Sequence, residues 1–490
     1  MISRSLFCIS TGGQFQTARL FYDPIAVDLR PEILYSYVRN TGTVQSFRRR
    51  KDRENMSEFI SSNISVLENG HLAFAGQDTV ALAQKYGTPL YLFDEARIRS
   101  NMRMYKTAFA KYFPAGSRPF YASKACSFRQ IYRIAAEEEI GIDVVSSGEI
   151  YTALSAGFDL KNACFHSNNK TDEDIRYAIE NGIGCFAADN AEEIRAIERE
   201  AAAAGIVQEV MLRLTPGIDP HTYDAVATGK VDSKFGSAIE TGQAEELTAY
   251  TLRQPHIKLT GFHCHVGSMV FGEDVYERAA AIMLGFIRDM RDRYGFTAEN
   301  LDMGGGYGVR YTQADPQIDI PACLERLAAE MTRLCAELGI DMPKISMEPG
   351  RSIAADAGMT LYTVGTLKKI PGYKNYVSVD GGMTDNPRYA LYGSKYSCYT
   401  ANKMTEEASF KASLVGRCCE SGDIVQPDVL FPQSIQRGDI EAVCTTGAYN
   451  YSMASNYNRV ARPAIVMLRD GQSYVAVRRE SLADICRNDI

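Results

Sequence analysis

From about residue 88 onward the chain alternates between two hydrophobic patterns. Short apolar, β-prone runs (PFYASKA, GIDVVSS, ACFHSNN, GCFAADN, VMLRLTP, GFHCHVGS, NLDMGGGYG and KISMEPGR) alternate with stretches that place apolar residues at i, i+3 and i+4. DEDIRYAIENG, AEEIRAIEREAAAAG and DVYERAAAIMLGFIRDMRDRYG are of the second kind, and they close on glycine as amphipathic helices covering a sheet often do. Eight such runs, each followed by a helix or loop, predict an α/β chain folded as a (β/α)8 TIM-like barrel, with a doubly wound open sheet as the alternative.

After about residue 355 the helical beat fades into strand-like runs and turns. TLYTVGTLKKI, NYVSVDGG, FKASLVGR and PAIVMLRDGQSYVAVRR predict a mostly antiparallel β domain. SVLENGHLAFAG, residues 65–76, has a hairpin pattern and is expected to join it. The expected division is an extension over 1–55, a first part of the β domain over 56–87, the barrel over 88–354 and the rest of the β domain over 355–490. Residues 1–55 end in RRRKDREN, and a block of like charges is usually a solvated tail. The segment reads as a poorly packed extension or an upstream start codon, and no function is assigned to it.

Composition narrows the chemistry more than the fold. The chain has 490 residues, 45% of them hydrophobic, enough core for two domains. A net charge of -7 offers no basic field for nucleic acid or an anionic membrane. The first apolar run is too short for a secretory signal and no run is long enough to cross a bilayer, so a cytoplasmic protein acting on a small molecule is expected. The 12 cysteines are scattered through apolar segments with no C-x-x-C pair, the pattern of buried reduced thiols, Cys418 and Cys419 excepted.

In such barrels the functional groups sit where strands end and loops leave the sheet. Those positions carry Lys124, His166, Asn168, Arg213, His265, Gly304 to Gly306, Glu348 and Arg351, a denser polar set than packing needs. In LDMGGGYG three glycines follow an apolar strand and free backbone amides to approach an anion such as phosphate, although a tight turn alone would also use them. In EPGRS, Glu348 can keep a pyridine nitrogen protonated, which makes the ring an electron sink, and Arg351 can serve phosphate or a substrate carboxylate. A surface ion pair is the plain alternative.

GFHCHVGS sets His263 and His265 two apart on a strand, hence on one face. No matching carboxylate or cysteine set accompanies them, so no metal is expected. One imidazole suits stacking on a flat cofactor, and His263 reads as a core residue. In VGRCCESGD only one of Cys418 and Cys419 can face a given site if the segment is a strand. A thiol protonated at neutral pH can give a proton to a carbanion, buried filler being the alternative. Arg388 and Tyr392 in DGGMTDNPRYALYG, and Tyr449 in GAYNYSMASNYN, offer groups for carboxylate or phosphate.

FYASKA, GIDVVSSGE, HSNNKT, TGKVDSKFG, FHCHVGS, DMGGGYG, EPGR, DGGMTDNPRYALYG, CESGD and GAYNYSMASNYN occur in this order between about residues 65 and 465. The set resembles the fold type III pyridoxal phosphate decarboxylases, most closely the branch acting on diaminopimelate. The resemblance implies an alanine-racemase/ornithine-decarboxylase-like fold, with a β domain of Greek-key type. It implies Lys124 as the lysine that carries pyridoxal 5'-phosphate, with His265 stacked on the ring and Glu348 at the ring nitrogen. Ser268, Gly305, Gly306, Gly350 and Tyr449 would surround the phosphate. Cys419 would be the acid that protonates the decarboxylated carbon, and Arg351, Arg388, Tyr392, Glu420 and Tyr449 the substrate-binding set. A head-to-tail homodimer is also implied, in which the segment bearing Cys419 and Glu420 reaches the partner's barrel. The departures are SKA where many relatives have AKA, Cys418 beside the acid, and the long extension.

The expected reaction is then decarboxylation of meso-2,6-diaminopimelate to L-lysine and CO2. Ornithine offers only a distal ammonium, for which one carboxylate suffices. Diaminopimelate offers a second amino-acid head that needs both signs, as Arg388, Tyr392 and Glu420 supply. The alternatives are decarboxylation of ornithine, arginine or carboxynorspermidine, or a non-catalytic cofactor-binding homologue, which could spare Lys124 or Cys419.

Overall fold

Eight parallel strands close on themselves. They run Arg118–Ala122, Gly141–Val144, Ala163–Phe165, Cys185–Ala188, Gln208–Thr215, Ile257–His263, Asn300–Asp302 and Lys344–Met347, each paired with the next. The eighth returns to the first, with Ser346 opposite Arg118, so the open-sheet alternative falls away. The computed structural model describes residues 59–218, 233–272 and 274–490. The expected extension over 1–55 and most of the TGKVDSKFG stretch lie outside the described residues.

Helices follow the strands as the pattern predicts. Ala191–Ala204 starts at Asn190, whose side chain accepts the Glu193 N–H, and stops at Gly205 in the left-handed region, φ 67. Its buried side chains include Ile194, Ile197 and Ala201, the i, i+3, i+7 stripe that faces the barrel. Asp172–Glu180 opens on a capping box between Thr171 and Asp174. Among the described residues no helix is long and apolar enough to cross a membrane.

The second sheet is mostly antiparallel and built from distant segments. Gly358–Ile370 pairs with Lys374–Val379 on one edge and Ile440–Cys444 on another, and the sheet continues through Ala408–Val415 and Ile424–Pro432. Leu90–Asp94 lies at its centre, antiparallel to Gly358–Ile370 and parallel to Ala464–Arg469. The predicted hairpin forms, with Ile64–Val66 against Leu72–Phe74, in a small three-stranded sheet of its own. Leu72 and Phe74 pack in one core with Leu90, Leu92, Met359 and Leu361, which joins the hairpin to the second sheet by burial rather than by strand pairing.

Candidate active site

The first barrel strand ends at Ala122, and a single turn of 3-10 helix, Ser123–Ala125, presents Lys124. The small residues of YASKA have a steric purpose: a Cβ on Gly350 would lie 2.9 Å from the methyls of Ala122 and Ala125. The Lys124 amine is solvent-accessible, yet protein surrounds the hollow it lines. Burial in that hollow works against its charge, but Asp143, with Tyr449 and Glu348 beyond it, outweighs burial and raises its pKa. Asp143 lies next to the end of the second strand with its Cα opposite Ala122, and both its carboxylate oxygens are buried without a hydrogen bond.

Across the mouth, Glu348 ends the eighth strand and is met by two imidazoles. His166 Nε2 lies 3.0 Å and His263 Nε2 3.2 Å from Glu348 Oε1, close contacts at angles too oblique for full hydrogen bonds. Burial opposes charge on all three, yet the outcomes differ. The Glu348 and Asp143 carboxylates push His166 up to about 9, while burial takes His263 down to about 4. Burial alone would raise Glu348, and the histidines instead hold it well below the usual carboxylate range. The site therefore holds an anionic carboxylate between one charged and one neutral imidazole. The donor atoms of His166, His263 and Glu348 lie within 4.8 Å of one another, a metal-like spacing, but an imidazole that keeps its proton is a donor and not a ligand.

Behind Glu348, burial and the neighbouring Glu348 charge push Asp302 up to about 8. Asp302 accepts the Ser346 hydroxyl at 2.7 Å and the Gly304 N–H at 2.8 Å, which fixes the start of the glycine turn. In that turn Gly304 and Gly306 hold φ 69 and 118, and a Cβ on Gly305 would lie 2.1 Å from the Glu348 carbonyl oxygen. The Gly305 N–H donates to His265 Nδ1 at 3.2 Å. Burial, then the Lys124 and Arg213 cations, hold His265 well below the usual imidazole range, so it is neutral.

Two buried arginines complete the mouth. Arg351 donates to the Tyr311 hydroxyl at 2.7 Å and to Ser268 Oγ at 3.0 Å. Its guanidinium lies 4.7 Å from the centre of the Tyr449 ring, and that of Arg388 lies 5.2 Å from the same ring. Arg388 is also 5.4 Å from the half-exposed Tyr392 ring, and its Nε is buried without a partner. Neither arginine makes an ion pair with a carboxylate among the described residues. Two desolvated cations sharing one aromatic ring are therefore without an anion among the described residues.

Cys419 and Glu420 are exposed on the turn after Ala408–Val415, and their hydrogen bonds are local. The Cys419 N–H donates to Asn458 Oδ1 at 2.8 Å, and Glu420 Oε1 accepts from Gly422 N–H at 3.2 Å. Two expectations need correction. The sixth strand stops at His263, so His265 lies past its end and the two imidazoles serve different partners, His263 turning to Glu348. Cys418 and Cys419 sit on a turn rather than a strand. They still part, Cys418 being half-buried beside Asp423 and pushed up to about 11 by burial and that carboxylate. Sequence reading missed Asp143, Asp302 and Tyr311, and did not join His166 to Glu348. The available signal was a lone acid in an apolar strand, in GIDVV and NLDMG. Asn168 lies instead on a cavity of 530 Å³ with Asp189, Lys234 and Glu246, which none of Lys124, Glu348 or Arg351 lines.

An amine, a buried anion with an open oxygen, a glycine cradle and unpaired cations match the aldehyde, ring nitrogen and phosphate of pyridoxal phosphate group by group. The profile of the pyridoxal-dependent decarboxylases, pyridoxal binding domain, matches residues 95–355. The chain is 43% identical over 425 residues to diaminopimelate decarboxylase of Bacillus subtilis, covering 86% of this chain and 96% of that one. The Staphylococcus aureus diaminopimelate decarboxylase is 42% identical over 422 residues, covering 86% and 98%. The crystal structure of diaminopimelate decarboxylase from M. jannaschii in complex with L-lysine superposes with a TM-score of 0.80 at 31% identity, over 88% of this chain and 98% of that chain.

Proposed function

The chain belongs to the pyridoxal phosphate-dependent diaminopimelate decarboxylases, and we propose how its own residues divide the conversion of meso-2,6-diaminopimelate to L-lysine and CO2. The observation that carries the assignment of roles is the pair of buried guanidiniums, Arg351 and Arg388, both against the Tyr449 ring with no carboxylate partner among the described residues. One suits the phosphate edge, with Ser268, Gly305, Gly306, Gly350 and Tyr449. The other suits the far carboxylate of the substrate.

When bound, pyridoxal phosphate accepts into its protonated ring the electron pair that departing CO2 leaves behind. Lys124 would hold the cofactor through its amine and afterwards release the product. Glu348, kept ionised by His166, would keep the proton on the ring nitrogen. His265, neutral, would face the ring without competing for that proton. Arg388, with Tyr392, binds the distal carboxylate, and Glu420 answers the distal ammonium. The Cys419 thiol gives its proton to the carbon that lost CO2.

Cys419 and Glu420 reach their task in a homodimer, where the exposed turn of one chain enters the barrel mouth of the other. The exposure of Leu391 (56%), beside Tyr392, and of Tyr457 (44%), beside the Asn458 that accepts the Cys419 N–H, supports covered surfaces at both places. The described cysteines are all free thiols, which supports a cytoplasmic setting. The test is a substrate panel with pyridoxal phosphate added: CO2 release from meso-diaminopimelate is expected to exceed that from ornithine or arginine by at least about 100-fold. Faster release from ornithine would overturn the substrate roles of Arg388 and Glu420.

A further inference from the structure

Two loops that carry site residues are fastened to one carboxylate. Asp423 is buried, its Oδ1 accepting the Met383 N–H at 2.6 Å and its Oδ2 the Cys418 N–H at 2.7 Å. Met383 belongs to the loop that ends in Arg388, and Cys418 is the neighbour of Cys419. The loops also meet along their backbones, where Arg417 N–H donates to the Gly381 carbonyl at 3.0 Å, while Gly416 N–H, donating to the Asp423 carbonyl at 3.0 Å, closes the Cys419 turn on itself. The fit leaves no slack, since a Cβ on Gly382 would lie 2.4 Å from the Asp423 carboxylate and one on Gly416 2.3 Å from it.

The two loops differ in how else they are held. The Arg388 loop has buried anchors of its own. Asp385 accepts the Gly382 N–H at 3.0 Å and the Tyr362 hydroxyl, and the Thr384 carbonyl accepts the Ser455 N–H at 2.8 Å. The Cys419 turn is exposed, and beside the Arg417–Gly381 backbone bond and the Asn458 side chain its hold on the body of the protein is the Asp423 carboxylate. A proton donor on such a turn needs a fixed origin, because a misplacement of about 1 Å can cost about 100-fold in rate.

We propose that Asp423 is a positioning residue that locks the Cys419 turn to the Arg388 loop, so that the proton donor offered to one active site and the carboxylate-binding arginine of the other keep a fixed relation across the dimer. This rests on the roles given to Cys419 and Arg388 above. The carboxylate is specifically required. Two N–H donors converge on two acceptor oxygens, whereas an asparagine offers one oxygen and turns an amide N–H₂ toward the second donor.

The test compares the holoenzyme with its Asp423→Asn variant. The expected result is kcat for meso-diaminopimelate lower by about 10- to 100-fold and a raised KM, with cofactor content unchanged and Cys419 alkylated by iodoacetamide at least about threefold faster. Gly416→Ala pushes a methyl against the carboxylate without removing its charge, should give the same pattern, and decides the matter if the asparagine variant folds poorly. Kinetic constants within about twofold of wild type in the folded variants, or a loss of activity that only follows lost cofactor, overturn the proposal. Cys419→Ser and Arg388→Ala serve as controls. If they too retain wild-type kinetics, the roles above fail and the proposal with them. If they lose activity while Asp423→Asn does not, the lock alone is refuted.

Discussion

Replacing Glu348 by glutamine keeps the shape of the side chain and removes its charge, and the structure says what should follow. His166 stands 3.0 Å from the Glu348 carboxylate and holds its proton to about pH 9 instead of the ordinary 6.5. That rise amounts to ~3 kcal/mol of preference for the charged imidazole, achieved against burial, which by itself would lower it. With the Glu348 charge gone, burial is opposed mainly by Asp143, and His166 should titrate at least about 2 pH units lower. In the role proposed for Glu348, the ring nitrogen of the cofactor would lose its anionic partner at the same time. Removal of a comparable preorganised electrostatic group costs about 100- to 1,000-fold in kcat, and a loss of that size is expected here. The assay has two arms: NMR titration of labelled histidine in a chain with only 6 histidines, and lysine formation at saturating cofactor. A Glu348→Gln enzyme with kcat within about tenfold of wild type, and His166 still charged at pH 8, would refute the reasoning.

Gly305→Ala should lower cofactor affinity by about tenfold or more in equilibrium dialysis, because the new methyl meets the Glu348 carbonyl oxygen at 2.1 Å and the turn must move; unchanged affinity would mean the turn does not touch the cofactor. Arg388→Ala should raise KM for meso-diaminopimelate about 10- to 100-fold with cofactor binding intact, from the loss of one charge-assisted hydrogen bond; a fall in cofactor content instead would place Arg388 at the phosphate. The cofactor-free protein should lose stability between pH 6.5 and 9. His166 is raised from 6.5 to about 9, so its contribution is complete below 6.5 and gone above 9, and Asp302 and Glu441, both raised to about 8, act in the same sense. A urea midpoint that is flat or rises over this range contradicts that sign.

The barrel was legible because each of its strands is buried on both faces and reads as a short apolar run, cut off by the polar residues at its end. LYLFD, residues 90–94, carries the same signature, all five residues buried, yet it pairs with Gly358–Ile370 and Ala464–Arg469 in the second sheet. Hydrophobic period reports burial and not the partner, so nothing local distinguishes that strand from a barrel strand. At the site, Lys124, the glycines and Glu348 stand in motifs whose chemistry is local, and could be singled out from a few letters. The contact of His166 with Glu348 arises only when the third and eighth strand ends meet across the closed mouth. The placing of His263 and His265 on one strand face fails for a different reason: counting two residues along a strand fails when the strand ends between them. Asp143 and Asp302 looked like single acids in apolar runs, and their meaning comes from neighbours on other strands.

The central claim, that Lys124 carries pyridoxal phosphate and with it the decarboxylation, is tested most directly by borohydride reduction followed by peptide mass analysis. Lysine formation from meso-diaminopimelate is measured in parallel on wild type and Lys124→Ala. A reduced cofactor adduct on Lys124 and lysine production are expected in the wild type, and neither in the variant. An adduct on another lysine, or lysine production by Lys124→Ala at a rate near that of wild type, would contradict it.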